Sequence, residues 1–384
     1  MKIRVDIGIA SLSKKEEEVC GDTSRIIEGK DSVTIILSDG LGSGIKASIL
    51  SILSTQIAAG LLKRKLGLEQ VFATIADTLP ICKVRDIAYS TLSILKINYD
   101  GTAHLIEYDN PALILVRDNQ LLKINKQQRM IAGKEVFESF FRIDVDDLLI
   151  LVSDGVINAG VGGLFKLGLG RERLLENIFK RDLNSESAQA VTDKIIALTD
   201  ACYLGKAGDD STSIAIKGRI PRKVVLLTGP PADQKLDKIV VENFTGIQSW
   251  KKIVCGGATG NMLSRQTGRE IEISLEYTDP SVPPVASIAG IDLVTEGILT
   301  LNKALERLQH YMEGNGLKKA DDGASQLAQN LYLADEITFL MGTSTNPAHK
   351  EMMESLQLKP RPVVVGHLVN VLRDMGKEVN IETY

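Results

Sequence analysis

The alternation of apolar and polar residues divides this chain into two halves with different grammars. In the first half short β-branched runs recur between turn dipeptides. Residues 3–12 alternate well enough for a strand, Ser24 to Glu28 predict a second, and Val33-Thr34-Ile35-Ile36-Leu37 a third. Ser38-Asp39-Gly40-Leu41-Gly42-Ser43-Gly44 follows as a glycine loop. Ile45, Ile49, Ile52, Leu53, Ile57, Leu61 and Leu62 then recur at helical spacing and predict an amphipathic helix over 45–65. A second helix is expected over 68–79, ending at Pro80. Strands at 87–97, 104–108, 112–117 and 121–124, separated by Asp-Gly, Asn-Pro and Asp-Asn turns, predict an antiparallel meander. Phe137 to Ile143 adds a strand, and Leu148-Leu149-Ile150-Leu151-Val152 reads as a strand buried on both faces. Helices at 171–179 and 185–198, with Ser185 as cap, precede a last strand at 213–217.

From Val224 strands and helices alternate. Strands are expected at 224–228, 252–255, 270–277, 337–341 and 362–365, and helices at 233–244, 262–267, 298–312, 323–334, 347–356 and 368–375. That pattern predicts an α/β layered domain with a mostly parallel sheet. The basic segment 217–223, with Gly218 and Pro221, is read as the linker, giving domains at 1–218 and 219–384.

Composition narrows the function classes. A chain of 384 residues, 44% hydrophobic and 24% charged, holds enough apolar material for two cores. Its net charge of −4 gives no electrostatic case for nucleic acid. The four cysteines lie far apart, which suggests neither a zinc knuckle nor a disulfide framework and fits a cytoplasmic setting. No uninterrupted apolar run of spanning length is visible, so no membrane association is expected. The four histidines are unpaired, leaving carboxylates as the expected holders of any metal.

Acids stand at the ends of several strands of the first domain: Gly21-Asp22, Asp39-Gly40, Asp154-Gly155 and Gly208-Asp209-Asp210. Each alone is more often a turn residue than a ligand, and the glycine loop after Asp39 alone could cradle a phosphate. Together, converging carboxylates would raise one another's pKa unless a hard divalent cation neutralised them.

The order Gly-Asp, Ser-Asp-Gly-Leu-Gly-Ser-Gly before a helix, Ser-Asp-Gly and Gly-Asp-Asp-Ser-Thr resembles the PPM-type metal-dependent protein phosphatases, in particular the bacterial branch typified by SpoIIE, RsbU and RsbX. Tyr89-Ser90-Thr91-Leu92 and Asn110-Pro111-Ala112 add to the likeness, which covers about residues 1–218. It implies an α+β fold: a four-layer α-β-β-α sandwich of two antiparallel sheets with two Mn²⁺ or Mg²⁺ ions at one end. Asp39 would bridge both ions, the Gly40 carbonyl would bind one, and Asp154 and Asp209 would complete the other. Asp22 would act directly or through water, and Asp210 would support the site or exchange roles with Asp209. The implied activity is hydrolysis of phosphoserine or phosphothreonine on a protein, such as an anti-sigma-factor antagonist, by metal-bound hydroxide with no phosphoenzyme. Two other readings stand beside it: a non-catalytic interaction module that keeps the fold, and a small-molecule phosphatase.

Residues 219–384 carry no recognised family, and a ligand-sensing or partner-docking role is expected of them. Gly229-Pro230-Pro231 and Gly256-Gly257-Ala258-Thr259-Gly260-Asn261 follow strands, where open α/β sheets bind ligands, but the second lacks a full phosphate-loop signature. Simple turn use accounts for both equally well. Arg265 and Arg269 lie near enough to aid an anion, and Asp292 and Glu296 would line a pocket or cap the helix after them.

Overall fold

Continuous β-branched runs can bury both faces only between layers, and the first half of the chain is layered accordingly. The computed structural model describes residues 2–78, 81–82, 87–88, 90–180, 186–273, 282–317, 320–344 and 358–384. The chain divides into two compact units, Met1–Ile220 and Pro221–Tyr384. In the first, β1 (Arg4–Leu12), β2 (Asp22–Glu28) and β3 (Ser32–Asp39) precede helices α1 (Gly44–Lys63) and α2 (Leu68–Thr78). A two-residue pair, β4 (Ile81–Cys82) and β5 (Ile87–Ala88), is followed by β6 (Leu92–Asn98), β7 (Thr102–Tyr108), β8 (Ile114–Arg117), β9 (Gln120–Leu122), β10 (Gln127–Ile131), β11 (Lys134–Arg142) and β12 (Leu148–Val152). Then come α3 (Asp154–Ile157), α4 (Gly170–Phe179), α5 (Ala188–Cys202) and β13 (Ser211–Arg219).

These strands form two antiparallel sheets, one ordered β1-β13-β12-β8-β9 and the other β10-β11-β7-β6-β3-β2. The two-residue period of β3 explains the layering: Val33, Ile35 and Leu37 pack between the sheets with Leu149, Leu151, Ile214 and Ile216. The intervening Ile36 packs instead under α1 and α2. On the outer side of the other sheet, Leu148, Ile150 and Val152 pack under α3, α4 and α5. This is the expected four-layer sandwich.

Several details differ from the sequence pattern. The strands expected at 87–124 are not one meander, because the β8–β9 hairpin joins the opposite sheet. The polar strand β10, Gln127–Ile131, is not among the expected strands; it is an edge strand, so one face need not be apolar. The first half of the apolar stripe of α1 faces outward, with Ile45, Ile49, Ile52 and Leu53 exposed, while Ile57, Leu61 and Leu62 pack against the core and Ala47, Ser51, Ser54, Thr55, Ala58 and Ala59 are buried. Small residues let the helix lie close on the sheet, a contact that periodicity of large apolar residues does not register. By length and composition α1 is also apolar enough to cross a membrane, yet its small face packs on β2 and β3. The expected linker shrinks to residues 220–222, since β13 runs to Arg219 and the next strand begins at Lys223. Pro80, Tyr89, the expected cap Ser185, the end of the 270–277 strand and the 347–356 helix lie outside the described residues; α5 is capped by Ser187, whose Oγ accepts the Ala190 N–H at 3.1 Å.

In the second unit β14 (Lys223–Thr228), α6 (Asp237–Gly246), β15 (Lys251–Cys255), α7 (Gly257–Thr267), β16 (Ile271–Ile273), β17 (Ala286–Ile288) and β18 (Leu293–Thr295) are followed by α8 (Ile298–Met312), α9 (Gly323–Leu333), β19 (Glu336–Met341), α10 (Arg361–Asp374) and β20 (Glu378–Thr383). The sheet order is β16-β17-β18-β15-β14-β19-β20, parallel from β18 to β20 and antiparallel at β16 and β17. The expected strand at 362–365 is the first turn of α10. Pro360 and Pro362 suit a helix start, where a missing N–H costs nothing, and Val364, Val365, Leu368, Val369 and Leu372 continue as its buried face. Three short strands, β17, β18 and β20, also lie outside the expected set, each too brief or too polar to stand out.

Candidate metal centre

Register alone brings the first two acids together. Asp22 opens β2, Asp39 closes β3, and the antiparallel pairing sets them directly opposite. Asp39 shares the parity of Val33, Ile35 and Leu37, so both carboxyls lie on the face turned toward the other sheet. Like charges directly across a ladder are destabilising, which marks this end of the sandwich as more than a packing solution.

The opposite sheet supplies the rest. Ser153 follows β12 directly, and its Oγ donates to Asp22 Oδ2 at 2.7 Å and accepts the Thr212 N–H at 2.8 Å. One buried hydroxyl thereby joins the ends of β2, β12 and β13. Asp154 is the first residue of α3, and Asn158 Nδ2 donates to it at 3.4 Å. Asp209 and Asp210 precede β13; the Asp210 N–H donates to Asp209 Oδ1 at 3.0 Å, and Asp210 Oδ1 accepts the Lys14 N–H at 2.9 Å.

The glycines of these motifs are demanded by close packing rather than by turn geometry. A Cβ on Gly40 would stand 1.9 Å from the Ala47 carbonyl oxygen, and one on Gly155 would stand 2.0 Å from that of Asp210. A Cβ on Gly21 would meet Asp210 Oδ2 at 2.8 Å. The left-handed positions are Gly42 and Gly44, at φ 109° and 65°, so these two make the turn into α1.

Electrostatics confirm the gathering. Burial first, then the charges of Asp22 and Asp154, a hydrogen bond with Asp154 and the charge of Asp209 push the Asp39 carboxyl up to about 9. Burial pushes Asp22 up to about 6, opposed by Ser153 and Thr212 and reinforced by Asp210 and Asp154. Asp209 is also raised, by burial and then by Asp154. Cys20, beside Asp22 and Asp210, is pushed up to about 12, chiefly by burial, which makes it a poor nucleophile. All five acids thus belong to one electrostatic cluster. Asp22 Oδ1 and Asp210 Oδ2 are buried without a hydrogen-bond partner. Among the described residues no three His, Cys, Asp or Glu side chains stand close enough to make a ready-formed ligand set. The donor set nevertheless fits a hard divalent cation, since it offers only oxygen and needs positive charge.

Several supporting residues carry no role in the sequence pattern. Thr91 Oγ1 accepts the Asp39 N–H at 3.3 Å and donates to Asn110 Oδ1 at 2.7 Å, while Asn110 Nδ2 donates to Ser93 Oγ at 3.0 Å. Ser90 Oγ donates to the Asp39 carbonyl at 3.1 Å. The Ser90-Thr91 and Asn110 motifs therefore hold the end of β3 in place. Tyr203 Oη donates to the Gly155 carbonyl at 2.9 Å. Ser153 is visible in the sequence only as the residue before an Asp-Gly.

Residues 29–219 match the sequence family described as Stage II sporulation protein E (SpoIIE). The solved structure of the PP2C phosphatase domain with a fragment of the regulatory domain of SpoIIE from Bacillus subtilis is 22% identical. It covers 57% of this chain and 64% of that one at a TM-score of 0.50. The phosphatase domain of the same Bacillus subtilis protein, in a crystal form without domain swapping, is 21% identical over 57% of this chain and 93% of that one, at 0.44. RsbX in complex with magnesium is 18% identical over 56% and 94%, at 0.42. No curated protein matches the chain significantly.

Proposed function

Since the N-terminal unit is a PPM-type phosphatase domain of the SpoIIE branch, we propose that it is a metal-dependent phosphoserine/phosphothreonine protein phosphatase. The observation that carries this reading is the convergence of Asp22, Asp39, Asp154, Asp209 and Asp210 at one end of the sandwich, with Asp39 driven up to about 9 by burial and its neighbours. A site so acidic is costly unless cations share it.

Two divalent ions, Mn²⁺ or Mg²⁺, would supply a Lewis acid for the phosphoryl oxygens and lower the pKa of an attacking water. Asp39 and the Gly40 carbonyl, Asp154 and Asp209 would hold them, with Asp22 contributing directly or through water. Asp210 is better suited to support. It is 4% exposed and one oxygen is taken by Lys14, whereas Asp209 is more open. Ser153 fixes Asp22, and the Thr91–Asn110 pair fixes the backbone of Asp39, so both acids are oriented before any ligand arrives. Asp39, raised by burial and its neighbours, would have to lose its proton to hold a cation, which would couple metal binding to pH.

The proposed substrate is a regulatory phosphoprotein in the cytoplasm, a setting supported by the unpaired thiols of Cys20, Cys202 and Cys255. Phosphate release from phosphoserine, phosphothreonine and phosphotyrosine peptides and from free phosphorylated metabolites, with Mn²⁺ or with EDTA, tests the reading. Release confined to the first two in Mn²⁺ supports it. Release only from free metabolites refutes the protein-phosphatase assignment.

A further inference from the structure

In the second unit the strand order places β15 and β18 on one side of β14 and β19 and β20 on the other. The order in which the chain adds strands to the sheet therefore reverses between β14 and β19. Residues after β14 lead to α6, which packs on one face with Val225 and Leu227. Helix α10, after β19, packs on the other with Val224 and Leu226. Crevices at the carboxyl ends of such diverging strands are where open α/β sheets take ligands.

The residues at that edge are built for an anion. Gly229, the first residue beyond β14, touches two groups: its N–H donates to Thr259 Oγ1 at 2.8 Å, and a Cβ on it would stand 2.2 Å from Arg361 Nη1. Thr259 lies in the first turn of α7 and Arg361 heads α10. Helix α7 has eleven residues, follows Gly256 at φ 124°, and has no side chain capping its first N–H groups. Its first helical hydrogen bond is donated by Gly260 to the Gly256 carbonyl, which leaves the amides of Gly257, Ala258 and Thr259 ahead of it. Gly257 and Ala258 are exposed. A Cβ on Gly257 would meet nothing within 4 Å. Neither packing nor backbone strain calls for glycine at that position, and its backbone is left open to a group from outside the fold.

Two further observations point to a missing partner. Thr228, adjacent to Gly229, is wholly buried and its Oγ1 has no hydrogen-bond partner. It alternates with Val224 and Leu226, so it lies on the face that carries α10. Arg361 Nη1 donates to the Gly342 and Ser344 carbonyls at 3.2 and 3.0 Å, and its Nε is buried without a partner. Burial lowers its pKa, opposed only by the charge of Glu296. Glu296 itself is engaged as a cap, accepting the Leu299 N–H at 3.1 Å.

We propose that the second unit binds the phosphate group of a small molecule at this edge, on the open first turn of α7 beside Arg361. The test uses the full chain in EDTA, which keeps phosphate from the acidic centre of the first unit and makes the result independent of the phosphatase reading. Calorimetric titration with inorganic phosphate, pyrophosphate and ADP is compared for wild type, Gly257→Glu and Arg361→Gln. At least one of the three is expected to bind wild type saturably. Which of them binds distinguishes a bare phosphate site from a nucleotide site. Gly257→Glu is expected to weaken binding more than tenfold with the melting temperature held or raised, because an acid suits a helix first turn. Arg361→Gln is expected to weaken it at least tenfold. No binding of any of the three, or binding that Gly257→Glu leaves intact, overturns the proposal.

Discussion

Replacing Asp39 with asparagine should make the metal-free protein more stable while destroying its response to metal. The Asp39 carboxyl is pushed from 3.8 to about 9 in the folded chain. Between those values the unfolded chain has lost the proton that the folded chain keeps. Folding stability therefore falls as pH rises from about 4 to about 9, by at most about 1.4 kcal/mol per pH unit. By pH 7 the ceiling is about 4 kcal/mol. Asparagine removes that titration but must itself be desolvated, so a net gain of about 2 kcal/mol is expected. For a unit of this size that is a rise of about 4–8 °C in melting temperature. Scanning calorimetry of the full chain in EDTA at pH 5, 7 and 8.5 reads it, the transition that moves being that of the first unit. The gain should grow with pH. Asp22, raised to about 6, leaves a residual slope between about 4 and about 6 in the variant. Adding Mn²⁺ should raise the wild-type transition and leave the variant nearly unmoved. A variant no more stable than wild type at pH 8.5, or an equal shift of both with Mn²⁺, would refute the electrostatic reasoning.

Three further comparisons probe the frame around the site, each read by thermal or urea unfolding. Ser153→Ala removes a hydroxyl bonded to Asp22 and to the buried Thr212 N–H and should cost about 1–3 kcal/mol, with weaker Mn²⁺ binding by titration. Gly40→Ala drives a Cβ into the Ala47 carbonyl and should destabilise by about 2 kcal/mol or more. Ile49→Gln should change stability by about 0.5 kcal/mol or less, because Ile49 is 51% exposed, whereas Ala58→Leu on the buried face of the same helix should cost about 1–3 kcal/mol.

That last contrast shows where the sequence was legible and where it was not. The two-sheet sandwich was implied by the family resemblance; runs such as 33–37 and 148–152 predicted only strands, and the structure shows their residues alternating between two cores. The acids could be named because each lies at or beside one end of a strand, and strand ends of a sandwich meet at its rim. Their convergence was carried by motif order and became physical only through the Asp22–Asp39 register and the Ser153 bridge, both long-range. The first half of α1 was misleading because a helix can dock through alanine and serine while Ile45, Ile49 and Ile52 face out. The run Pro362 to Val365 suggested a strand, yet its proline is at home in a helix first turn, and only the apolar spacing through Leu372 decides between them. Short strands such as β18 carry too few residues for any period to show.

The central claim, a cation-dependent hydrolase at the acidic end of the sandwich, is tested most directly by hydrolysis of p-nitrophenyl phosphate. Wild type and Asp39→Asn are assayed side by side in Mn²⁺, Mg²⁺ and EDTA. The account predicts activity in wild type with a divalent ion, none in EDTA, and a loss of at least about a hundredfold in the variant. Hydrolysis that persists in EDTA, or a folded variant as active as wild type, would contradict it.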